Sequence, residues 1–399
     1  MITAAPLASI REAAVRGNAA VAAASHDLGG ELAVARVDLG AIADNTRWFA
    51  ARADGATLMA VVKADGFGHG AVPVARTALA AGAAWLGVAR TREALALRAA
   101  GIEAPILAWL LEPGLVRAAV DNGVDLSVSS VDDLRQIIEV DCARRAFVHL
   151  KLDTGLHRAG AAVESWAELV GQAARLERQG RIRVRGIWSH LSHGDVLGHP
   201  NNVRQREALA AGVAVARALG VHPSVTHLAN SGGVIQMGAA GCSMVRVGAG
   251  LYGIDVFNVG NGPLRLRPAM TIAARIVGIR RVRAGEGIGY GHTTLAARDT
   301  NLALIPLGYA DGLPRFAGPQ ASLWCGGRRV PLVGRISMDQ CSVDVGDLPV
   351  TVGDAVTVVG DGTDGAPTVA DWAGWAGTIP HEILTHIGSR VPRQSIEAD

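Results

Sequence analysis

Short apolar segments alternate with longer segments of helical periodicity between about residue 40 and residue 265, and this alternation limits the fold more than any other feature. Repeated strand-helix units predict a parallel sheet of the α/β class, because parallel neighbours need a long crossover connection. Eight such units predict a TIM (β/α)8 barrel, and a doubly wound open sheet is the alternative. The candidate strands are 57–63, 85–89, 105–110, 124–129, 147–153, 184–191, 225–229 and 244–247.

The sequence pattern changes after Pro268 to short β-branched runs separated by Gly-rich turns. These runs, at 272–282, 301–307, 328–333 and 355–359, predict a β-rich second domain, to which 372–387 adds one helix or two short ones. A chain of 399 residues also exceeds the usual size of a single core. We therefore expect an Ala-rich tail at 1–33 that is disordered or loosely helical, a barrel at 34–265 and a C-terminal β-rich domain at 266–399.

Composition excludes several classes of partner. The net charge is +2 and no long basic run is present, which argues against a nucleic-acid or membrane surface. Apolar stretches are interrupted before they reach membrane-spanning length. Four scattered cysteines without C-x-x-C spacing argue against disulfides and structural zinc, and they favour a reducing cytoplasm. Small molecules are the expected partners.

Only two of the 38 basic residues are lysines, Lys63 and Lys151. An amine can lose its proton and attack a carbonyl group or carbon dioxide, whereas guanidinium stays protonated. Lys63 ends the first barrel strand, where barrel enzymes place their chemistry. Lys151 and Asp153 lie at the end of the fifth strand, and Arg158 follows them. Arg158 suits a substrate carboxylate, and the structural alternative is a Lys151–Asp153 ion pair that closes the barrel.

The last two barrel strands end in Gly-rich turns, at 230–232 and 248–250. Backbone N–H groups, the Ser231 hydroxyl and a helix N-terminus together suit an anion such as phosphate, although ordinary tight turns have the same composition. The His-containing segments 189–195 and 381–386 lack the spacing of metal ligands, so no metal site is predicted.

Six ordered motifs give nearly the whole chain beyond the tail a resemblance to the alanine racemases. They are RVDL at 36–39, AVVK at 60–63, GEGIGYG at 285–291, GYADG at 308–312, VGRISMDQ at 333–340 and RVPR at 390–393. The resemblance implies a pyridoxal 5'-phosphate (PLP) isomerase that interconverts L- and D-alanine and supplies D-alanine for peptidoglycan. It also implies a homodimer whose active sites are shared between subunits.

The resemblance also implies roles for individual residues. Lys63 would form the Schiff base with PLP and act as the base on the D face, and Tyr290 of the other subunit would act on the L face. Racemisation needs both, because the α-proton leaves one face and returns on the other. The implied binding residues are Arg158 for the substrate carboxylate, carbamylated Lys151 beside Arg158, Arg246 at the pyridine nitrogen with His190 next to it, Ser231, Gly248 and Ala249 at the phosphate, Met338 and Asp339 at the substrate, and Tyr309 at the entrance.

Three positions depart from the family pattern. Phe67 and His381 stand where the family has tyrosine, and His157 replaces a small residue. The loss of two hydroxyl groups predicts altered PLP affinity and substrate preference. A serine or broad-specificity racemase is therefore the main alternative function. A PLP-dependent decarboxylase and a non-catalytic PLP carrier are further alternatives, which the Lys63 and Tyr290 motifs disfavour.

Overall fold

The computed structural model describes residues 28–140, 142, 144–257 and 266–396, which divide into two compact units. One unit is Ala41–Arg267, and the other combines the segment ending at Gly40 with the segment beginning at Pro268. The first strand, β1 (Ala33–Asp38), belongs to the second unit. The expected tail lies outside the described residues as far as residue 27, whereas the Leu28 side chain is buried against Val34 and Ala273.

The unit Ala41–Arg267 contains a closed barrel of eight parallel strands, which confirms the barrel and excludes the open sheet. The barrel closes where β2 pairs with β9, with Met59 opposite Arg246. Most strand residues are buried, because parallel strands in such a fold are covered on both faces. The strands are β2 (Thr57–Val61), β3 (Trp85–Arg90), β4 (Ile106–Leu110), β5 (Asp125–Val128), β6 (Ala146–Lys151), β7 (Ile182–Trp188), β8 (Val225–His227) and β9 (Met244–Val247).

Helices connect the barrel strands, and their starts follow local capping rules. The hydroxyl of Ser130 accepts the Asp133 N–H at 3.1 Å, and the Asp133 carboxylate accepts the Ser130 N–H at 3.1 Å. None of the helices among the described residues is long and apolar enough to cross a membrane. The helices up to the end of the barrel are α1 (Leu39–Ala50), α2 (Ala71–Ala80), α3 (Thr91–Ala99), α4 (Val116–Asp121), α5 (Val131–Glu139), α6 (Val163–Arg178), α7 (Pro200–Ala218) and α8 (Ser231–Met237).

The second unit is built on a nine-stranded sheet with the order β11-β14-β17-β16-β15-β18-β10-β1-β19, and β12 pairs with β13 in a separate ribbon. Two short helices, α9 (Val369–Ala376) and α10 (Pro380–His386), occupy the segment for which one or two helices were expected. The strands after the barrel are β10 (Met270–Arg275), β11 (Gly278–Val282), β12 (Gly287–Ile288), β13 (Thr294–Leu295), β14 (Thr300–Ile305), β15 (Ser322–Cys325), β16 (Arg328–Val333), β17 (Cys341–Asp344), β18 (Ala355–Val359) and β19 (Arg393–Ile396).

The position of β1 differs from the sequence-based boundary, which begins the barrel at residue 34. β1 lies between two strands of the second unit, antiparallel to β10 with Ala35 opposite Ile272, and parallel to β19 with Val37 opposite Ser395. An apolar strand followed by a helix has the same pattern in either environment, so periodicity alone does not reveal the long-range pairing. Segments from both ends of the chain therefore contribute to this unit.

Candidate active site

The chain leaves β2 through an unusual left-handed turn that contains Lys63. Ala64 and Asp65 both have φ near +50° (53° and 51°), which costs an L-residue roughly 1–2 kcal/mol each. The turn is fixed by carboxylates. Glu93 Oε1 accepts the Ala64 N–H at 2.7 Å, and Asp65 Oδ1 accepts the Ala71 N–H at 2.8 Å. The backbone that carries Lys63 is therefore held at the C-terminal rim of the barrel.

Lys63 lies half-buried between aromatic rings. Its Nζ is 5.3 Å from the ring centroid of Trp109 and 5.9 Å from that of Phe67. Burial lowers the pKa of the Lys63 ammonium, and the nearby Arg158 lowers this pKa further, while Glu93 opposes the shift. A lysine with a lowered pKa has more free amine at neutral pH, which is the form that attacks an aldehyde.

Lys151 ends β6 with 8% of its surface exposed, and its Nζ lies 4.4 Å from the Trp188 ring centroid. Burial, followed by the charges of Arg246 and Arg158, lowers its pKa to about 8, against the opposing effect of Asp153. The two lysines that the sequence singles out are thus both activated amines at the same rim.

The loop after β6 is organised by Asp153. Its Oδ1 accepts the N–H groups of Gly155, Leu156 and His157 at 2.9–3.1 Å, and its Oδ2 lies 3.2 Å from His157 Nδ1. In the described structure Asp153 forms no ion pair with Lys151, so the structural alternative for that pair is wrong. His157 has a left-handed φ of 57°, and the next residue, Arg158, is exposed. The loop holds the exposed Arg158 at the mouth, where its charge acts on both lysines.

Arg246 is 2% exposed and lies among hydrogen-bond acceptors. Its Nη2 donates to the carbonyls of Ser189 (2.9 Å) and Leu228 (3.0 Å) and lies 3.1 Å from His190 Nδ1. Its Nη1 lies 3.0 Å from His227 Nδ1. Burial lowers the pKa of Arg246 to about 9, which leaves the guanidinium charged at neutral pH. Its Nε–H has no acceptor among the described residues and is therefore available to a ligand.

His190 is a neutral imidazole in this environment. Burial is the main cause that lowers its pKa well below the usual value, and the charge of Arg246 is the next. Arg158 and both lysines also contribute to this shift. His190 therefore marks the point at which the cationic side chains of the barrel rim converge.

The turns after β8 and β9 form one cradle. The Ser231 hydroxyl oxygen accepts the N–H groups of Gly248 and Gly250, both at 3.2 Å, so its own proton remains free to be donated. A Cβ atom at Gly250 would lie 2.2 Å from the Phe49 ring, so no larger residue fits there. Ala249 follows Gly248 in the same turn. These donors suit the phosphate of a small cofactor.

Phe67 is buried beside this cradle and stacks on Tyr252, with the ring centroids 4.6 Å apart. The Tyr252 hydroxyl donates to the Val61 carbonyl at 3.0 Å, so it is already engaged within the barrel. Sequence analysis missed both Tyr252 and Trp109. Trp109 is the last residue but one of β4, and its buried indole N–H has no acceptor among the described residues. The strand-end rule that singled out Lys63 applies equally to Trp109.

The remaining residues lie in the β-rich unit. Tyr290 is 68% exposed and stands between two glycines with positive φ, while Met338 is 52% exposed. Asp339 pairs with Arg390 at 2.8 Å. The Tyr309 N–H donates to the Ser337 carbonyl at 3.0 Å, which brings the loop of Tyr309 beside that of Met338 and Asp339. His381 lies half-buried on α10.

Within the described residues, no three His, Cys, Asp or Glu side chains are grouped as ligands for a metal ion. The structure brings together the expected residues of the barrel rim, whereas Tyr290, Tyr309, Met338, Asp339 and His381 belong to the other unit. The rim therefore contains two activated amines, one buried guanidinium and an anion cradle.

Comparison with known proteins assigns both units. Residues 37–256 match the model of the alanine racemase N-terminal domain, and residues 269–395 match that of the C-terminal domain. The alanine racemase of Thermobifida fusca (strain YX) is 46% identical over 90% of this chain and 97% of its own length. The crystal structure of alanine racemase from D-cycloserine-producing Streptomyces lavendulae is 42% identical, with a TM-score of 0.89 over 92% of this chain and 98% of that chain.

A more distant relative contains a bound ligand in its crystal structure. The crystal structure of alanine racemase from Bartonella henselae, with covalently bound pyridoxal phosphate, is 29% identical to this chain. Its TM-score is 0.82, over 92% of this chain and all of that chain (100%).

The lowered pKa of Lys151 predicts a specific pattern of chemical labelling. Trace acetic anhydride reacts only with the free amine, so in buffer free of carbon dioxide the rate of Lys151 acetylation should rise with pH with a midpoint near pH 8. The acetylation rate of a reference peptide lysine should have its midpoint near the usual pKa of about 10.4. Peptide mass spectrometry measures both rates, and Lys151→Arg removes the labelled peptide as a control. A Lys151 midpoint near that of the reference peptide would contradict the assignment.

Proposed function

Because the chain belongs to the alanine racemase family, we propose that it interconverts L-alanine and D-alanine with PLP held at Lys63. The observation that carries the proposal is the position of Lys63. An amine with a lowered pKa stands at the same rim as an anion cradle and a buried guanidinium. An aldehyde cofactor with a phosphate group needs these features together.

The described residues fit PLP. Lys63 would bind its aldehyde carbon, and Ser231, Gly248 and Ala249 would hold its phosphate. Arg246, with a free Nε–H, would donate to the pyridine nitrogen, with His190 beside it. When bound, PLP draws electrons from the substrate Cα and so acidifies the α-proton. A guanidinium that stays protonated would donate only a hydrogen bond to the ring nitrogen, which favours racemisation over side reactions that need a protonated ring.

Two groups move the α-proton in this proposal. The Lys63 amine takes or returns it on the D face, and the Tyr290 hydroxyl does so on the L face. Tyr290 is 68% exposed in its own chain, which supports the proposal that it completes the site of a second copy in a homodimer. Met338 is similarly exposed and, with Asp339, would border the substrate across the same interface.

Arg158 would bind the substrate carboxylate. Lys63, Lys151 and Arg246 all lower the pKa of His190, and Arg158 lowers the pKa of both lysines, so these cations lie close together. An added anion would therefore be favourable there.

We propose that Lys151 is carbamylated. Its free amine would attack carbon dioxide, form an N–C bond and release a proton, and the resulting anion would steady Arg158.

We place this reaction in the cytoplasm, where it would supply D-alanine for peptidoglycan. Cys242, Cys325 and Cys341 are free thiols, which suits a reducing compartment. The partner is a small amino acid, and the near-neutral charge of the chain gives no support for nucleic-acid binding.

Serine racemisation is the second candidate activity. His381 replaces a tyrosine of the family pattern, and its ring is shorter than a phenol and able to donate or accept a hydrogen bond. Such a ring would leave room beside the substrate β-carbon and offer a partner to a hydroxyl group. Phe67, which lies against Gly248 of the cradle, removes the other family hydroxyl.

Tyr290→Phe should impair α-proton exchange on the L face of the substrate and leave exchange on the D face. Exchange of the α-proton of L-alanine with deuterated solvent should fall on the order of 100-fold or more, because that face loses its base. Slow exchange of D-alanine should remain, because Lys63 is intact. Mass spectrometry of each enantiomer measures both rates. Tyr309→Phe serves as the control and should affect both enantiomers alike, whereas undiminished exchange of both enantiomers in Tyr290→Phe would refute the two-base assignment.

His381→Tyr should make the enzyme more selective for alanine and should tighten PLP binding by about 10-fold to 100-fold, since a hydrogen bond to a charged group contributes about 1.5–3 kcal/mol. Phe67→Tyr is the matched control, which should tighten PLP without changing the alanine-to-serine ratio. Chiral chromatography gives the ratio, and absorbance titration gives the PLP affinity. If the wild-type enzyme does not racemise serine, and if His381→Tyr changes neither selectivity nor PLP affinity, residue 381 does not have this role.

A further inference from the structure

Three buried polar side chains extend from Arg246 across the interior of the barrel. His227 Nδ1 lies 3.0 Å from Arg246 Nη1, and its Nε2 lies 2.9 Å from His149 Nδ1. His149 Nε2 lies 3.1 Å from Asp125 Oδ2. All three side chains are fully buried, at 0% exposure. We call Asp125, His149 and His227 the buried relay.

The far end of the buried relay is closed by Arg185 on β7, whose Nη1 donates to Asp125 Oδ1 at 3.0 Å. The Arg185 side chain is 24% exposed, and its guanidinium lies 3.7 Å from the Phe147 ring centroid. The buried relay thus connects the buried guanidinium of Arg246 with the guanidinium of Arg185, which is partly exposed to solvent.

Proton counting allows only one arrangement of neutral rings along the buried relay. Arg246 only donates, so His227 Nδ1 must accept and the ring proton must lie on Nε2. That proton is donated to His149 Nδ1, which places the second ring proton on His149 Nε2, facing the Asp125 carboxylate. Every hydrogen bond then runs in one direction, from Arg246 to Asp125. Burial, together with the charge of Arg246, lowers the pKa of His227 far below its usual value, which agrees with a neutral ring.

The local backbone is adapted to this arrangement. His149 is opposite Gly186 of β7, directly after a shift in the β6–β7 register. A Cβ atom at Gly186 would lie 2.2 Å from His149 Nδ1, so the ring crosses β7 only because residue 186 is glycine. The Trp188 ring stacks on His227, with the ring planes 14° apart. Gly186 and Trp188 therefore fix the path between the two histidines.

The buried relay also supplies a distant counter-charge. No carboxylate among the described residues forms an ion pair with Arg246, although it is buried. Hydrogen-bonded groups polarise one another in a low-dielectric interior, so the negative charge of Asp125 strengthens His227 Nδ1 as an acceptor. A carboxylate in direct contact with Arg246 would instead compete with an incoming ligand for its N–H groups.

We propose that Asp125, His149 and His227 are positioning residues that hold Arg246 in its charged state and orientation for contact with the cofactor ring. This inference rests on the proposed function. The relay acts through Arg246 and touches neither substrate nor the reacting atoms. Its loss should therefore change cofactor retention and turnover more than the binding of alanine.

The test uses full-length holoenzyme with Asp125→Asn, which keeps the side-chain volume but removes the charge. We expect PLP release to become about 10-fold faster and kcat to fall about 10-fold, while KM for alanine changes by less than about 2-fold. In ¹⁵N-histidine-labelled protein, the ring N–H signals of His149 and His227 should be protected from solvent exchange in wild type and lose that protection in the variant. His149→Gln and His227→Gln assign the two signals.

Arg185→Gln is a second variant, chosen because its partly exposed position tolerates replacement if Asp125→Asn does not fold. It should change PLP release and ring N–H exchange in the same direction by a smaller factor. Asp132→Asn is the matched control, because among the described residues this exposed carboxylate pairs only with Arg135 on its own helix. It should leave all readouts unchanged.

Unchanged ring N–H protection and PLP release in both Asp125→Asn and Arg185→Gln would overturn the inference. A fall in thermal stability with normal PLP release, kcat and KM would also overturn it, because the relay would then be only structural. Failure of wild type to racemise alanine would instead refute the proposed function, since the ring N–H signals report the relay without turnover.

Discussion

The pairing of β2 with β9 closes the barrel, and the whole candidate site depends on that closure. Met59 lies opposite Arg246 and Ala60 opposite Val247, so the strand that leads to Lys63 runs beside the strand that leads to the Gly248 cradle. Parallel strands in a closed barrel present all their C-terminal ends at one rim. Residues far apart in sequence therefore converge, and the left-handed turn after Lys63 adds the local constraint that holds the amine there.

The charge distribution follows from this convergence. The pKa of His190 is lowered by all four cations of the rim, Lys63, Lys151, Arg158 and Arg246, and the two arginines also lower the pKa of Lys151. The tryptophan rings beside both lysines replace water that would otherwise screen these charges. A rim of this kind favours anions, as the phosphate of PLP and the carboxylate of an amino acid require. The carboxylate of the buried relay lies at the far end of two imidazoles, so it compensates Arg246 without occupying a binding position.

The sequence was sufficient for the eight barrel strands, the β-rich unit and the strand-end lysines, because each depends on local periodicity and on the rule that strand ends carry chemistry. The sequence did not predict the unit to which β1 belongs, because an apolar strand followed by a helix has the same pattern in either unit. It also missed Asp125, His149 and His227. Their contacts depend on a register shift in β6 and on the space above Gly186, and neither is visible in the order of residues.

The central claim is that Lys63 holds PLP, and the presence of only two lysines makes it directly measurable. Protein incubated with PLP is reduced with borohydride, digested and analysed by peptide mass spectrometry. We predict the phosphopyridoxyl group on the Lys63 peptide, and in Lys63→Arg we predict neither this label nor racemisation, because guanidinium does not form the covalent link at neutral pH. A label on Lys151 in wild type, or an active Lys63→Arg variant, would contradict the account.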